Sequence, residues 1–333
     1  MKRKVYLSAL FLLGMRAVQA QILPTFGDSR SGSTGMQFLK IAPDARSLSL
    51  GGAYVAIAND ASSMFWNPAG ITQDTGKLNV SLSNTQYFGD ISANYLGAVY
   101  RTGEFSFVGF QVFSMNYGTM DETTEFDPTG TGRTFTMSNY YLGLTYAQIL
   151  TKNFSFGLNV RYANEGFPGI QIHNALFDLG LKYDVGVKNT RFGISFSNFG
   201  FNVRPDGKAQ LLKFSGPTDV TNFTTVTVPG IFRIGAAFDP IIGYKHNLTV
   251  AAQLNHPTDN NETYAIGTEY LYKKMLFARA GYEFASDDRY LAPSAGVGFK
   301  LKRKFGALSF DYGILAKSTL GNIQRLTLGV TLY

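Results

Sequence analysis

Residues 154–162 alternate strictly between large apolar side chains and small or polar ones: Phe154-Ser155-Phe156-Gly157-Leu158-Asn159-Val160-Arg161-Tyr162. A period of two is the signature of a β-strand with one apolar face. The pattern recurs from Leu78 to the C-terminus, and we predict strands that start near residues 78, 91, 104, 134, 154, 173, 191, 230, 247, 262, 276, 290, 307 and 323. Bacterial single-chain outer-membrane barrels need an even strand number. The pattern therefore predicts an all-β fold, a 14-stranded antiparallel outer-membrane β-barrel over residues 78–333.

A soluble β-sandwich is the competing fold, and the polar face of the strands argues against it. In a sandwich that face meets water and is rich in Lys, Glu and Thr. Here it is rich in Gly, Ser and Asn, with isolated charges of both signs: Arg161, Asp178, Lys182, Asp184, Glu269, Arg279, Glu283 and Asp311. Charges that face an enclosed lumen must pair or be hydrated. We expect these carboxylates to pair with Arg161, Lys182 or Arg279 rather than to form a catalytic pair.

The connections between strands fall into two classes. Those from even to odd strands are short, whereas those from odd to even strands include the long stretches Asp121 to Arg133, Gly166 to Ile172 and Phe201 to Pro229. A barrel with both termini in the periplasm has short periplasmic turns and long extracellular loops. The short turns are also basic, and the 121–133 loop is acidic, which fits lipid phosphates on the inner side or a solvated rim.

The first twenty residues carry much of the basic charge. The 333-residue chain has a formal net charge of +7, and Lys2, Arg3, Lys4 and Arg16 account for four of these charges, which leaves +3. An apolar core from Val5 to Met15 and small residues before Gln21 predict a secretory signal peptide over residues 1–20. We therefore expect no nucleic-acid partner. The absence of Cys excludes a disulfide scaffold and a thiolate metal site.

Residues 21–77 lack the period of two and are predicted to form a lead-in and a helical hatch, although a periplasmic extension is the alternative. Asp44 is placed to cap a helix over Ala45 to Ala58, and Asn59-Asp60 precede a second helix that Pro68 ends. The residues that define this segment are Asp44, Arg46, Gly51, Gly52, Asp60, Trp66, Asn67 and Pro68, with a structural or gating role.

These residues carry a family resemblance. The runs 37–46, 51–56, 60–62 and 65–70 closely resemble the PorV/PorQ family, and Ile41 to Arg46 lean towards its PorV-type members. That family belongs to the FadL-like group of fourteen-stranded outer-membrane proteins, in which an N-terminal hatch fills the barrel. The resemblance implies an outer-membrane component of the type IX secretion system of Bacteroidota-like bacteria. PorV-type members collect cargo by its C-terminal signal domain at the translocon and pass it to the attachment complex.

Two functions follow as expectations. In the first, a non-enzymatic protein binds cargo, translocon or attachment-complex subunits through extracellular loops, with outer-membrane lipid around it. The candidate partner-binding loop carries apolar residues in a polar setting: Leu211, Leu212, Phe214, Val220, Phe223 and Val226. That loop could instead fold over the barrel mouth. In the second function, the protein is a FadL-type transporter of hydrophobic small molecules, which predicts an apolar tunnel beside the hatch and a bulged strand. No catalytic, cofactor or metal motif is recognised.

Overall fold

The chain folds into a closed β-barrel around a small N-terminal plug. A computed structural model describes residues 32, 34–89, 91–125, 127–213, 216–285, 291–317 and 321–333. The barrel strands are β1 Leu78–Gln86, β2 Ser92–Arg101, β3 Ser106–Asn116, β4 Ser138–Ile149, β5 Phe154–Phe167, β6 Ile170–Asp184, β7 Arg191–Gly200, β8 Ile231–Ile242, β9 His246–Pro257, β10 Thr263–Tyr272, β11 Leu276–Ala285, β12 Leu291–Arg303, β13 Gly306–Lys317 and β14 Gly321–Leu332.

Each strand pairs antiparallel with its neighbours, and β1 pairs with β14 to close the barrel, with Leu78 opposite Leu332. The prediction of fourteen antiparallel strands is confirmed. Along β5 the apolar residues face outwards, while Ser155, Asn159 and Arg161 are buried on the lumen side. This is the polarity that a lipid-facing wall requires. In the described part of the chain, no helix has the length and apolarity to cross a membrane.

The six connections at the end where β1 begins are all short, and the two longest connections, between β3 and β4 and between β7 and β8, lie at the other end. We call these ends the short-turn rim and the long-loop rim. The prediction of a long loop from Gly166 to Ile172 is wrong, because β5 and β6 continue through this stretch and leave only two residues between Phe167 and Ile170. Three short strand pairings lie outside the barrel wall: Met120–Asp121 with Thr134–Phe135, Asp206–Gly207 with β6, and Ala209–Lys213 with Gly216–Val220.

The hatch consists of short helical pieces before β1. They are a 3₁₀ helix Gln37–Lys40, α1 Ala45–Ser49, α2 Ser63–Trp66 and a 3₁₀ helix Pro68–Gln73; a further 3₁₀ turn, Val187–Asn189, lies at the short-turn rim. The predicted helix from Ala45 to Ala58 is too long. It ends at Ser49 because Gly51 and Gly52 adopt left-handed φ angles of 63° and 85°. The predicted signal peptide lies outside the described residues.

The buried core lies between the hatch and the inner side of the wall rather than between two sheets. One cluster surrounds Tyr54, Phe65 and Trp66. A second joins Phe38 to Phe113 and Tyr141, whose rings stack with centroids 6.3 and 5.1 Å apart. The apolar side chains of the hatch thus replace the side chains that fill a smaller barrel.

Candidate functional site: the hatch and the two mouths of the barrel

Asp44 organises the start of α1. Its carboxylate accepts a 2.7 Å bond from the Ser47 backbone N–H, as an N-cap should, and a 3.1 Å bond from Trp66 Nε1. Burial and the charge of Asp60 raise the pKa of Asp44 above its ordinary value. The residue therefore joins the first helix of the hatch to the second, with no free oxygen facing a mouth.

Arg46 fastens the hatch to the wall by charge. Its Nε and Nη2 donate two 2.8 Å bonds to the carboxylate of Glu269 on β10. Arg279 on β11 donates to the same carboxylate at 2.6 Å and also pairs with Asp311 on β13. Two arginines and two carboxylates thus form one ion network between hatch and wall. The expected structural pairing of the lumenal carboxylates is observed here and at Arg161–Asp178, 2.6 Å apart.

Asp60, Asn67 and Pro68 stabilise the part of the hatch around α2. Asp60 accepts bonds from Ser62 N and from Tyr54 Oη, at 2.9 and 3.2 Å. Asn67 donates from Nδ2 to the carbonyls of Val55, at 3.1 Å, and of Leu181 on β6, at 2.9 Å. Together with Pro68 at the start of the last 3₁₀ helix, all eight predicted hatch residues lie within the plug.

Ten strands each place one glycine against the hatch. We call this set the glycine belt: Gly97, Gly109, Gly157, Gly180, Gly193, Gly235, Gly267, Gly281, Gly296 and Gly313. A Cβ at Gly235 would lie 2.6 Å from Val55 Cγ1, and one at Gly267 would lie 2.6 Å from the Leu50 carbonyl oxygen. Since carbon atoms pack at about 3.5–4.0 Å, the hatch backbone occupies the space that side chains would need.

Polar wall residues complete the attachment. Gln253 Oε1 on β9 accepts from the backbone N–H groups of Tyr54 and Val55, at 2.9 and 2.7 Å. Thr327 Oγ1 on β14 accepts from Ala45 N at 2.9 Å, and Asn79 Oδ1 on β1 accepts from Ala61 N at 3.1 Å. These bonds satisfy hatch backbone groups that have no helical partner.

Two cavities lie on opposite sides of the hatch. The cavity towards the short-turn rim has a volume of about 470 Å³ and is mostly polar, with Arg46, Glu269 and Lys300 among its lining residues. The cavity towards the long-loop rim has a volume of about 360 Å³ and a more apolar lining that includes Leu48, Trp66 and Ile323 beside Arg233. The two cavities share no lining residue.

The hatch begins at the long-loop rim, where a carboxylate clamps it. Asp259, between β9 and β10, accepts bonds from Lys40 Nζ at 2.6 Å, from Gln37 Nε2 at 2.8 Å and from Thr34 Oγ1. Burial alone would raise the pKa of Asp259, but these donors hold it below the ordinary value. Asp259 and Gln253 were not among the predicted site residues. Only the fold brings them to a hatch more than 190 residues away in the chain.

The long connection between β7 and β8 has a packed base and a separate tip. At the base, Val203 and Val226 form an isolated bridge, and both pack against the buried cluster that includes Met36 and Phe38 of the hatch. The tip is the hairpin Ala209–Lys213 with Gly216–Val220. Of the candidate loop residues, Val226 lies in the base, Val220 and Phe223 are half-buried, Leu211 and Leu212 lie on the first strand of the tip, and Phe214 lies outside the described residues.

The wall carries a bulge beside this connection. The pairing of β6 with β7 shifts between Phe177 and Leu179, and Asn198 opposite adopts a φ of 62°. Asn198 accepts from Arg161 Nη2 at 2.5 Å and donates from its backbone N–H to Asp178 at 2.7 Å. The buried Arg161–Asp178 pair therefore fills the irregularity from the lumen side. In the part of the chain that the structure describes, no group of three or more His, Asp or Glu side chains could hold a metal ion.

A family model described as type IX secretion system protein PorV matches residues 25–259. No curated protein matches the chain. Solved structures with the same fold include the Ralstonia pickettii toluene transporter TbuX, at 15% identity and a TM-score of 0.63, covering 87% of this chain and 98% of that one. The Pseudomonas putida toluene transporter TodX has 12% identity, a TM-score of 0.56 and coverage of 92% and 98%. A Pseudomonas aeruginosa FadL homologue has 10% identity, a TM-score of 0.54 and coverage of 87% and 98%.

Proposed function

The chain belongs to the PorV family of type IX secretion system proteins, and on that premise we propose how it acts. It is a non-enzymatic outer-membrane protein that binds exported cargo, by the C-terminal signal domain, or the translocon. It does so at its long-loop rim and hands the cargo to the surface attachment machinery. The lumen takes no part in moving the cargo.

One observation carries this proposal: the hatch touches the wall at the glycine belt on ten strands. An opening wide enough for a polypeptide would require the whole plug to leave. That movement would break the Arg46–Glu269 pair and strip the bonds from Gln253. Breaking a buried ion pair alone costs about 3–5 kcal/mol. A binding role at the rim needs none of these changes.

The tip hairpin supplies a surface suited to such binding. It stands on a base that is packed against the hatch, and the one ion pair found in its described part, Lys208–Asp219, is exposed and 3.8 Å long. Connecting segments on a rigid scaffold commonly carry binding functions. Leu211 and Leu212 place two apolar residues on the first strand of this tip.

The test is a loop replacement in a strain that lacks the chromosomal gene. Residues 209–220 are exchanged for a short Gly-Ser turn, and secretion of cargo with a C-terminal signal domain is measured. We expect a folded barrel in the outer membrane and loss of secretion. The matched control removes residues 122–132 from the other long connection and should secrete normally. Normal secretion by the 209–220 variant would exclude this surface.

A second candidate function has its own observation. The cavity of about 360 Å³ on the long-loop side has an apolar lining, and the wall beside the 201–230 connection is bulged. Both features are expected of a transporter of hydrophobic small molecules, and structures named as toluene transporters share the fold. Uptake of a labelled fatty acid and of toluene by the deletion strain tests this function. Unchanged uptake of both would exclude it for these compounds.

A further inference from the structure

The two rims of the barrel carry opposite charge. The seven chain segments at the short-turn rim, 74–77, 101–105, 150–153, 184–191, 239–246, 272–275 and 300–306, contain twelve basic and four acidic residues, a net charge of +8. The segments at the long-loop rim, 86–92, 116–138, 165–171, 200–231, 257–263, 285–291 and 317–321, contain six basic and twelve acidic residues, a net charge of −6. The asymmetry survives removal of the basic N-terminus.

Most positive charges of the short-turn rim have no ion-pair partner among the residues that the structure describes. Asp239 pairs with Arg191 at 3.2 Å, and Asp184 accepts from Gln73. Among the described residues, no ion pair to a carboxylate is found for Lys152, Lys188, Lys245, Lys273, Lys274 or Lys304. These six lysines are available to an external anion.

Each of the six turns at this rim also exposes an apolar side chain. These side chains are between 40% and 84% exposed: Phe105, Leu150, Val187, Tyr244, Met275 and Phe305. Apolar and basic groups meet at two places on this rim. Lys274 lies over the ring of Tyr244, which belongs to the neighbouring turn, at 5.6 Å, and Phe305 follows Lys304 in the chain. Apolar groups exposed this far are stable where they can enter an acyl-chain boundary.

We propose that the short-turn rim binds the phosphate groups of anionic phospholipids in the inner leaflet of the outer membrane. The short turns of such barrels face the periplasm, so that leaflet is the one within reach. A protein partner would cover one side of the rim, whereas the lipid layer surrounds it. All six turns expose an apolar residue, five of them hold at least one lysine, and Arg101 flanks the sixth. This repeat around the whole rim therefore fits lipid. A basic residue near an anionic surface contributes about 1 kcal/mol.

The experiment uses the chain's single tryptophan. Trp66 is buried in the hatch, and its fluorescence is measured separately in the parent protein. A Phe305→Trp variant adds a second tryptophan at the rim, so the difference between the two proteins reports quenching at the rim. Full-length protein is placed in phosphatidylcholine vesicles that contain either brominated phosphatidylglycerol or brominated phosphatidylcholine. We expect the anionic quencher to quench the new tryptophan at least about twofold more strongly, and this preference to fall in high salt.

Charge reversal isolates the cause. In the Phe305→Trp background, Lys273→Glu, Lys274→Glu and Lys304→Glu together should abolish the preference for the anionic lipid. The matched control reverses three charges at the long-loop rim, Arg204→Glu, Lys208→Glu and Lys213→Glu, and should keep it. Equal quenching by the two lipids in the starting variant, or a preference that survives the reversal at residues 273, 274 and 304, would overturn the proposal.

Discussion

The hatch and the tip hairpin 209–220 meet the barrel in opposite ways. The hatch touches ten strands through the glycine belt and is tied by buried charges and amide bonds. The two strands of the tip pair with each other. The ion pair found between the tip and the rest of the described chain is Lys208–Asp219, which is exposed. The contacts that stabilise the fold are thus concentrated at the enclosed hatch, whereas the exposed tip is left free to bind a partner. We therefore expect the largest loss of stability from variants at the hatch and the smallest from variants at the tip.

Within the glycine belt, Gly281 should tolerate an added methyl group least, because backbone atoms of the hatch fill the space beside it. Gly281→Ala places a Cβ inside the van der Waals distance of the Leu50 backbone, which no rotamer change can relieve. We expect destabilisation of at least about 3 kcal/mol, at the upper end of overpacking penalties, or failure of the barrel to assemble. The measurement is the fraction of heat-modifiable folded barrel on gels, with urea unfolding where it folds. Gly103→Ala is the control, since nothing lies within 4 Å of that position; equal behaviour of the two variants would contradict the close packing.

The buried ion network should matter more than a surface ion pair of the same chemistry. Glu269→Gln leaves the guanidinium groups of Arg46 and Arg279 without their shared carboxylate and should cost about 3–5 kcal/mol. Glu122→Gln breaks the exposed pair with Arg133 and should cost less than about 1 kcal/mol. Urea unfolding in detergent measures both. Similar losses for the two variants would mean that burial does not set the strength of the network.

The clamp at Asp259 should weaken only in strong acid. Its pKa is held below the ordinary value of 3.8, so its contribution is complete above pH 3.8 and is lost as the pH falls through the lower value in the folded state. Asp259→Asn should cost about 2 kcal/mol at neutral pH and speed hydrogen exchange in residues 34–40. The difference in thermal midpoint between wild type and variant should be constant from pH 5 to 8. A difference that already shrinks between pH 7 and pH 5 would show that another group titrates.

The tip hairpin should contribute least to stability. Replacing residues 209–220 by a Gly-Ser turn should leave the unfolding free energy within about 0.5 kcal/mol of wild type, because the base of the connection stays packed against the buried cluster that includes Met36 and Phe38. Urea unfolding of the purified variant is the measurement. A loss of unfolding free energy comparable to that of Glu269→Gln would show that the tip stabilises the fold. A secretion defect in the variant would then not be evidence for partner binding at the tip.

Much of the barrel could be predicted from the alternation of apolar and polar residues, because successive residues of a wall strand face the lipid and the lumen in turn. Gly166 to Ile172 was misread because a two-residue turn between long strands has the same composition as a loop. The predicted helix after Asp44 is too long because the left-handed Gly51 lies against the backbone of Tyr282 and the left-handed Gly52 faces Trp66. Only the fold creates the contact with Tyr282. Arg46 was identified by its motif, but its partner Glu269 lies 223 residues away. Strand register decides that pairing.

The proposed function requires the hatch to stay in place during secretion, and a reversible disulfide between hatch and wall tests this directly. The chain has no Cys, and the atom nearest to a Cβ at Gly235 is Val55 Cγ1, at 2.6 Å. Val55→Cys removes that methyl group, so together with Gly235→Cys it can join hatch and wall by a disulfide. Secretion of cargo with a C-terminal signal domain is compared in the oxidised and reduced states. We predict equal secretion in both. A block under oxidation that reduction relieves, absent from each single-cysteine variant, would show that the hatch must move.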